Sequence, residues 1–111
     1  MKYTIKPYDD ELVICEVSGR LLVDDEVNQI ISDLEKYLEY NLLLNLKDLE
    51  YTSSAGLSLF IRLLTRTRIQ NKKIVLSNVQ ENVMKLFTIT KLNDIFTIFE
   101  TEENAINSIK K

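Results

Sequence analysis

The 111-residue sequence has no histidine and no tryptophan, one cysteine, one proline and two glycines. Without histidine the usual general base at neutral pH and the commonest metal ligand are both missing. A Ser-His-acid triad is therefore impossible, and with a single thiol an ordinary zinc site is excluded as well. Cys15 cannot form an internal disulfide, which fits a reducing compartment. Its setting, "LVICEV", predicts a buried inert thiol, because a reactive thiolate needs an electropositive, partly exposed site. No apolar run approaches the ~20 residues of a membrane span, and "MKYTIKPYDD" lacks the apolar centre of a signal peptide. A basic excess is also missing: 14 Lys and Arg face 17 Asp and Glu, for a net charge of −3. That argues against a dedicated nucleic-acid binder. A soluble cytoplasmic protein is expected, with no direct nucleic-acid partner, no membrane insertion, no metal and no cofactor.

What is present is one domain's worth of chain, 1–111, with 45% apolar residues, sufficient for a single core. Residues 2–7 alternate Tyr3 and Ile5 with polar neighbours and predict a half-buried strand ending at Pro7, which suits a sheet edge. A turn at "YDDE" leads to a second strand, 11–18, as an antiparallel hairpin ended by Gly19. Val27, Ile30, Ile31, Leu34 and Leu38 recur at helical spacing over 24–39, with acids in the first turn. The short apolar run at 42–46 predicts a strand covered on both faces. A helix over 54–69, a strand over 72–79, a helix over 80–92, a strand over 95–100 and a terminal helix opened by Thr101 complete the chain. The order β-β-α-β-α-β-α-β-α predicts an α/β fold: a mixed sheet, parallel wherever a helix joins two strands, with an antiparallel edge strand. Four loops, 19–24, 47–53, 78–81 and 100–103, then gather at the C-terminal ends of the strands, where ligands of such sheets usually sit.

The second of those loops carries the chain's most distinctive string, "EYTSSAGLSLF". Ser53 or Ser54 is a preferred N-cap for the helix that follows, with Ser53 the better placed. Gly56 in the first turn allows close packing of helix on sheet. A nucleophile elbow requires G-x-S-x-G, but Thr52 stands two residues before Ser54. Lys47 is the sole nearby lysine for a Ser-Lys pair, and no G-x-x-x-x-G-K-[ST] phosphate loop occurs. A helix N-terminus does accept an added phosphate well, because unpaired N–H groups and the dipole both favour it. A phosphate there would add about −1.5 to −2 charges beside the rim acids Asp24, Asp25, Asp48 and Glu50, and would repel an apolar or acidic partner without moving the fold. Along the helix, Ser58, Arg62, Thr65 and Arg66 share one face. They form either a solvated surface or a docking surface adjoining Ser54, with the arginines as anchors.

The whole pattern "NLLLNLKDLEYTSSAGLSLFIRLL", with "VSGRL" at the end of the second strand, resembles the STAS domain family, whose bacterial members include anti-sigma factor antagonists. The resemblance implies a STAS-like fold and a partner-switching role with no catalysis of its own. Such a domain binds a kinase-type anti-sigma factor, which can phosphorylate a serine or threonine in this turn, and a phosphatase reverses the mark. Aligned on Gly56-Leu57, Ser54 is the counterpart of the modified residue, Ser53 stands where an aspartate is usual, and Ala55 replaces a second hydroxyl. Asn45 stands near the end of the central strand, and Leu22 follows "GRL", both where an acid is frequent. The implied partner surface comprises Asp24, Ser53, Ser54, Ser58, Arg62, Thr65 and Arg66. The resemblance leaves one alternative open, a STAS-type regulatory subunit of a membrane transporter, such as a lipid-transport ATPase complex, without a phosphoswitch.

Overall fold

The structure is a computed structural model that describes residues 1–110; the final residue of the expected terminal helix, Lys111, lies outside the described residues. Strand β1 (Lys2–Pro7) pairs antiparallel with β2 (Leu12–Leu21), and the turn between them is built on Asp9. Its Oδ1 accepts the N–H groups of Glu11 and Leu12, both at 2.9 Å, so an aspartate side chain shapes the reversal. Helix α1 (Asp24–Asp33), strand β3 (Asn41–Asn45), strand β4 (Leu49–Thr52) and helix α2 (Ser54–Ile69) follow. Strand β5 (Ile74–Ser77), helix α3 (Glu81–Ile89), strand β6 (Thr97–Phe99) and helix α4 (Glu102–Lys110) complete the described chain.

The strands form one sheet in the order β1-β2-β3-β5-β6, with β4 beside the last part of β2. Pairings β2–β3, β3–β5 and β5–β6 are parallel, and β1 is the antiparallel edge, as the element order required. Alternation along the strands sorts their side chains into two layers. Val13, Cys15, Val17, Leu42, Leu44 and Leu76 point into the main core with α1, α2 and α3. Leu12, Ile14, Leu43 and Val75 point the other way and are covered by Ala105 and Ile109 of α4. Burial on both sides explains why residues 42–44 read as an unbroken apolar run.

Several boundaries differ from expectation, each for a local reason. Strand β2 does not end at Gly19. It passes through that residue at φ +85° and shifts register between Gly19 and Arg20, which is a bulge. The extra length of β2 pairs with β4, a strand absent from the expected order: Arg20 lies opposite Tyr51 and Leu21 opposite Thr52. The segment Leu49–Thr52 is too short and mixed for a period-2 signal, so its extended form comes from its partner and not from propensity. Helix α1 stops at Asp33, six residues early, and a 3₁₀ turn at Glu35–Tyr37 carries the chain toward β3. Thr101 caps α4 as expected, its Oγ1 accepting the Asn104 N–H at 3.1 Å.

Candidate functional site

At the strand-to-helix turn, β4 delivers Thr52 into the core, and the chain reverses through Ser53 into α2. Ser53 has extended backbone angles (φ −85°, ψ 176°), and its Oγ accepts the Gly56 N–H at 3.1 Å, so it is the N-cap. The same hydroxyl donates to the Leu22 carbonyl at 2.9 Å, and the Ser53 N–H donates to the Leu21 carbonyl at 3.0 Å. Both donor and acceptor capacity of Ser53 are therefore used in fastening the turn to the end of β2. Ser54 is the first residue of α2, exposed, with no side-chain hydrogen bond among the described residues. The two adjacent serines thus differ in kind: one hydroxyl is structural, the next is free at the positive end of a helix dipole.

Gly56 sets how closely α2 approaches the sheet. A Cβ built there would lie 2.2 Å from Thr52 Oγ1 and 2.7 Å from the Leu21 carbonyl oxygen, so only glycine fits. This close approach lets the Ser53 side chain reach back to Leu22.

The model of the STAS domain family matches residues 4–105. The chain belongs to the STAS family. Among curated relatives, this STAS domain is 34% identical over 61 residues to the anti-sigma-B factor antagonist of Bacillus subtilis (strain 168), a match spanning 55% of this chain and just over half, 56%, of that one. It is 27% identical over 96 residues to the anti-sigma-B factor antagonist of Staphylococcus epidermidis, covering 85% of this chain and 89% of the relative. Its fold superposes on the anti-sigma factor antagonist SpoIIAA in the unphosphorylated form with a TM-score of 0.86 at 20% identity, over 98% of this chain and 96% of that one. For the phosphorylated form of SpoIIAA the TM-score is 0.78 at 20% identity, over 97% and 99% of the two chains.

Around the turn of this STAS domain the sequence-derived candidates take distinct places. Asp24 is exposed and opens α1, directly after the Leu22-Val23 loop that Ser53 holds. Glu26 steadies that loop by accepting the Leu22 N–H at 3.2 Å, and this bond holds its carboxyl below the usual carboxylate range. Thr65 is exposed, with its hydroxyl folded onto the Ile61 carbonyl at 3.0 Å. Ser58 donates to the Ala55 carbonyl at 2.6 Å and is half-buried. Arg62 is exposed and bonds Asn28 Oδ1 across to α1 at 2.9 Å.

Arg66 departs from the solvated face expected of it. Its Nη2 donates to the Leu34 carbonyl at the end of α1, and its Nε is buried. Desolvation pulls the guanidinium below its ordinary pKa. It is a second donor to a carbonyl that also accepts the Tyr37 N–H at 2.9 Å, and so joins α1 to α2. The spacing that put Arg66 in line with Ser58 and Arg62 was sound, but α1 lies close enough to claim it.

Asn45 is likewise not on the rim with Ser54. It sits on the α4 side of the sheet, buried, donating from Nδ2 to Glu102 Oε2 at 2.6 Å and accepting the Lys47 N–H at 2.9 Å. In contrast, three apolar residues around the turn were not among the sequence candidates: Leu22 (41% exposed), Val23 (52%) and Tyr51 (43%). Tyr51 lies under the Arg20 guanidinium, 5.0 Å from its ring centroid. Nothing in their local pattern marks them, since exposure of a loop or a short strand depends on what fails to pack over it.

Cys15 is fully buried and burial pushes its thiol up to about 12, which keeps it protonated and unreactive. Among the described residues no cluster of His, Cys, Asp and Glu has the makings of a metal site, and no helix is long and apolar enough to cross a membrane.

Proposed function

We propose that this STAS domain is an anti-sigma factor antagonist: it binds a kinase-type anti-sigma factor through the rim at the start of α2, and phosphorylation of Ser54 by that partner ends the binding. The observation that carries the reading is the division between the two serines, one hydroxyl consumed as a cap and the next free and exposed at the same helix start. The likeness to curated anti-sigma-B factor antagonists supports the partner class.

The rim has the make-up of a docking site. Exposed Leu22, Val23 and Tyr51 supply apolar area, and Asp24 and Ser54 supply polar edges. Arg62 and Thr65 extend it along α2, whereas Ser53, Ser58 and Arg66 serve it indirectly by fixing the turn and the α1–α2 pair. A phosphate on Ser54 needs no rearrangement, because the helix N-terminus favours the added charge. It would instead add about −1.5 to −2 charges to the docking rim, where Asp24, Asp25 and Glu50 are exposed acids of the neighbouring segments. The kinase supplies the catalytic base, so the absence of histidine is no obstacle. The domain then works in the cytoplasm without chemistry of its own, and a phosphatase resets it.

Incubation with the cognate kinase and ATP, followed by intact-mass and peptide mass spectrometry, tests the switch. One phosphate on Ser54 is expected, none on Ser54→Ala, and loss of partner capture by Ser54→Asp. A phosphate mapped to another residue, or capture of the anti-sigma factor unchanged by Ser54→Asp, would sink the switch. Capture of a transporter subunit instead would replace the assigned pathway.

A further inference from the structure

Helix α4 is alone on its face of the sheet. Helices α1, α2 and α3 share the main core, while α4 covers a separate apolar strip made by Leu12, Ile14, Leu43 and Val75. It does so with little apolar surface of its own: Ala105 and Ile109 are its buried residues, one helical turn apart, with Ile106 partly buried. Polar pairs hold its two ends. At the start, Glu102 accepts from Asn45 Nδ2 at 2.6 Å. At the end, Lys110 Nζ lies 2.5 Å from Asp9 and 2.9 Å from Glu11, both in the β1–β2 turn. These carboxylates raise the Lys110 pKa further above its ordinary value, so the clamp is fully charged at neutral pH. Two exposed residues, Glu100 and Thr101, join the helix to β6.

The closed arrangement also carries a local defect. Ser77, next to Asn45 in the sheet register and on the same face, is fully buried with its Oγ unpaired among the described residues. A buried hydroxyl without a partner destabilises the state that buries it, and lifting α4 would open it to water. The main core and the Ser53–Leu22 fastening involve no residue of α4, so its departure leaves them in place.

We propose that α4 is a releasable cover, and that the strip beneath it is a second docking surface which takes a helix of α4's own chemistry. The occupant is defined by what the surface presents. Asn45 takes a carboxylate at one end, the Asp9–Glu11 pair takes a cation at the other, and Leu12, Ile14, Leu43 and Val75 take two apolar side chains four residues apart. This surface is independent of the Ser54 rim, so it stands or falls separately from the anti-sigma reading.

Native-state hydrogen exchange on the full chain tests the release. Amides of residues 102–110 should exchange at least about tenfold faster than those of β3 and β5, the mark of local opening. In Lys110→Gln the α4 amides should quicken by a further factor of about three to ten, with β3 unchanged. Exchange of α4 in step with β3 in both proteins would overturn the release. A labelled peptide of residues 101–110 tests the surface by fluorescence anisotropy. It should bind Lys110→Gln more tightly than the unaltered chain, and a peptide carrying Lys110→Glu should not bind. Absence of binding to Lys110→Gln, or equal binding of the two peptides, would overturn the docking surface whatever the exchange data give.

Discussion

Gly56 lies so close to Thr52 that a methyl group on its Cα would stand 2.2 Å from Thr52 Oγ1, inside any tolerable contact. The Leu21 carbonyl at 2.7 Å closes the other side, and backbone cannot swing away as a side chain can. Gly56→Ala should therefore cost about 1–3 kcal/mol of overpacking, read as a lower urea midpoint with unchanged slope. Because the same shift pulls Ser53 from Leu22, partner binding should weaken with it. An unchanged midpoint would show that α2 does not need this approach.

Ser53 and Ser54 should separate cleanly under substitution. Ser53→Ala removes the cap on Gly56 and the bond to Leu22, and is expected to cost about 1 kcal/mol, within the 0.5–2 range of cap losses. Ser54→Ala touches an exposed hydroxyl and should stay within about 0.5 kcal/mol. Ser53→Asp should fall between them, since aspartate caps well but cannot donate to the Leu22 carbonyl. Chemical denaturation of the three variants decides it, and equal losses for Ser53→Ala and Ser54→Ala would refute the assigned division of labour.

The Asn45–Glu102 pair makes a third prediction. Asn45→Asp would set two carboxylates at the present 2.6 Å contact, with residue 45 buried. Like charges at that distance raise the pKa of one of them, so the variant should lose about 1–3 kcal/mol at pH 7. A group whose folded pKa is raised regains relative stability as pH falls through that value. The deficit should therefore shrink toward pH 4, or on adding Glu102→Gln at pH 7. A deficit independent of both would mean that repulsion is not its cause.

These three sites also mark how far the sequence could be followed. Helix α2 was legible to the residue because a cap directly before it, a glycine in its first turn and a helical apolar stripe along its 16 residues are all local in the chain. The parallel direction of the strands after the first followed from alternation of strands and helices, which constrains pairing. What stayed hidden depended on partners distant in the chain. Asn45 meets Glu102 across 57 residues, and Arg66 meets Leu34 across 32. Strand β4 exists because β2 runs on past its bulge. Helical spacing gives the direction of a side chain but not the neighbour waiting there, and so Arg66 read as solvent-facing. The exposed Leu22, Val23 and Tyr51 were hidden for the converse reason, the absence of a covering element.

The bond from the Tyr3 hydroxyl to Asp33 Oδ2 ties the edge strand to the end of α1, and it should appear in the pH dependence of stability. Tyr3 and then Gln29 hold the Asp33 carboxyl below its ordinary 3.8, while burial and then Asp33 push the Tyr3 phenol up to about 12. A depressed carboxyl contributes stability above its unfolded value and loses it as pH falls through the folded one. A raised phenol contributes fully below its ordinary 10.0 and loses that as pH rises toward about 12. The difference in urea midpoint between the unaltered chain and Tyr3→Phe should thus be level from about pH 5 to 9 and shrink on both sides. Asp9 and Glu26 also have lowered values, but both persist in Tyr3→Phe and cancel in the difference. A difference that stayed constant down to pH 2 would mean the bond does not favour the ionised Asp33, and the coupling of β1 to α1 would then rest on packing alone.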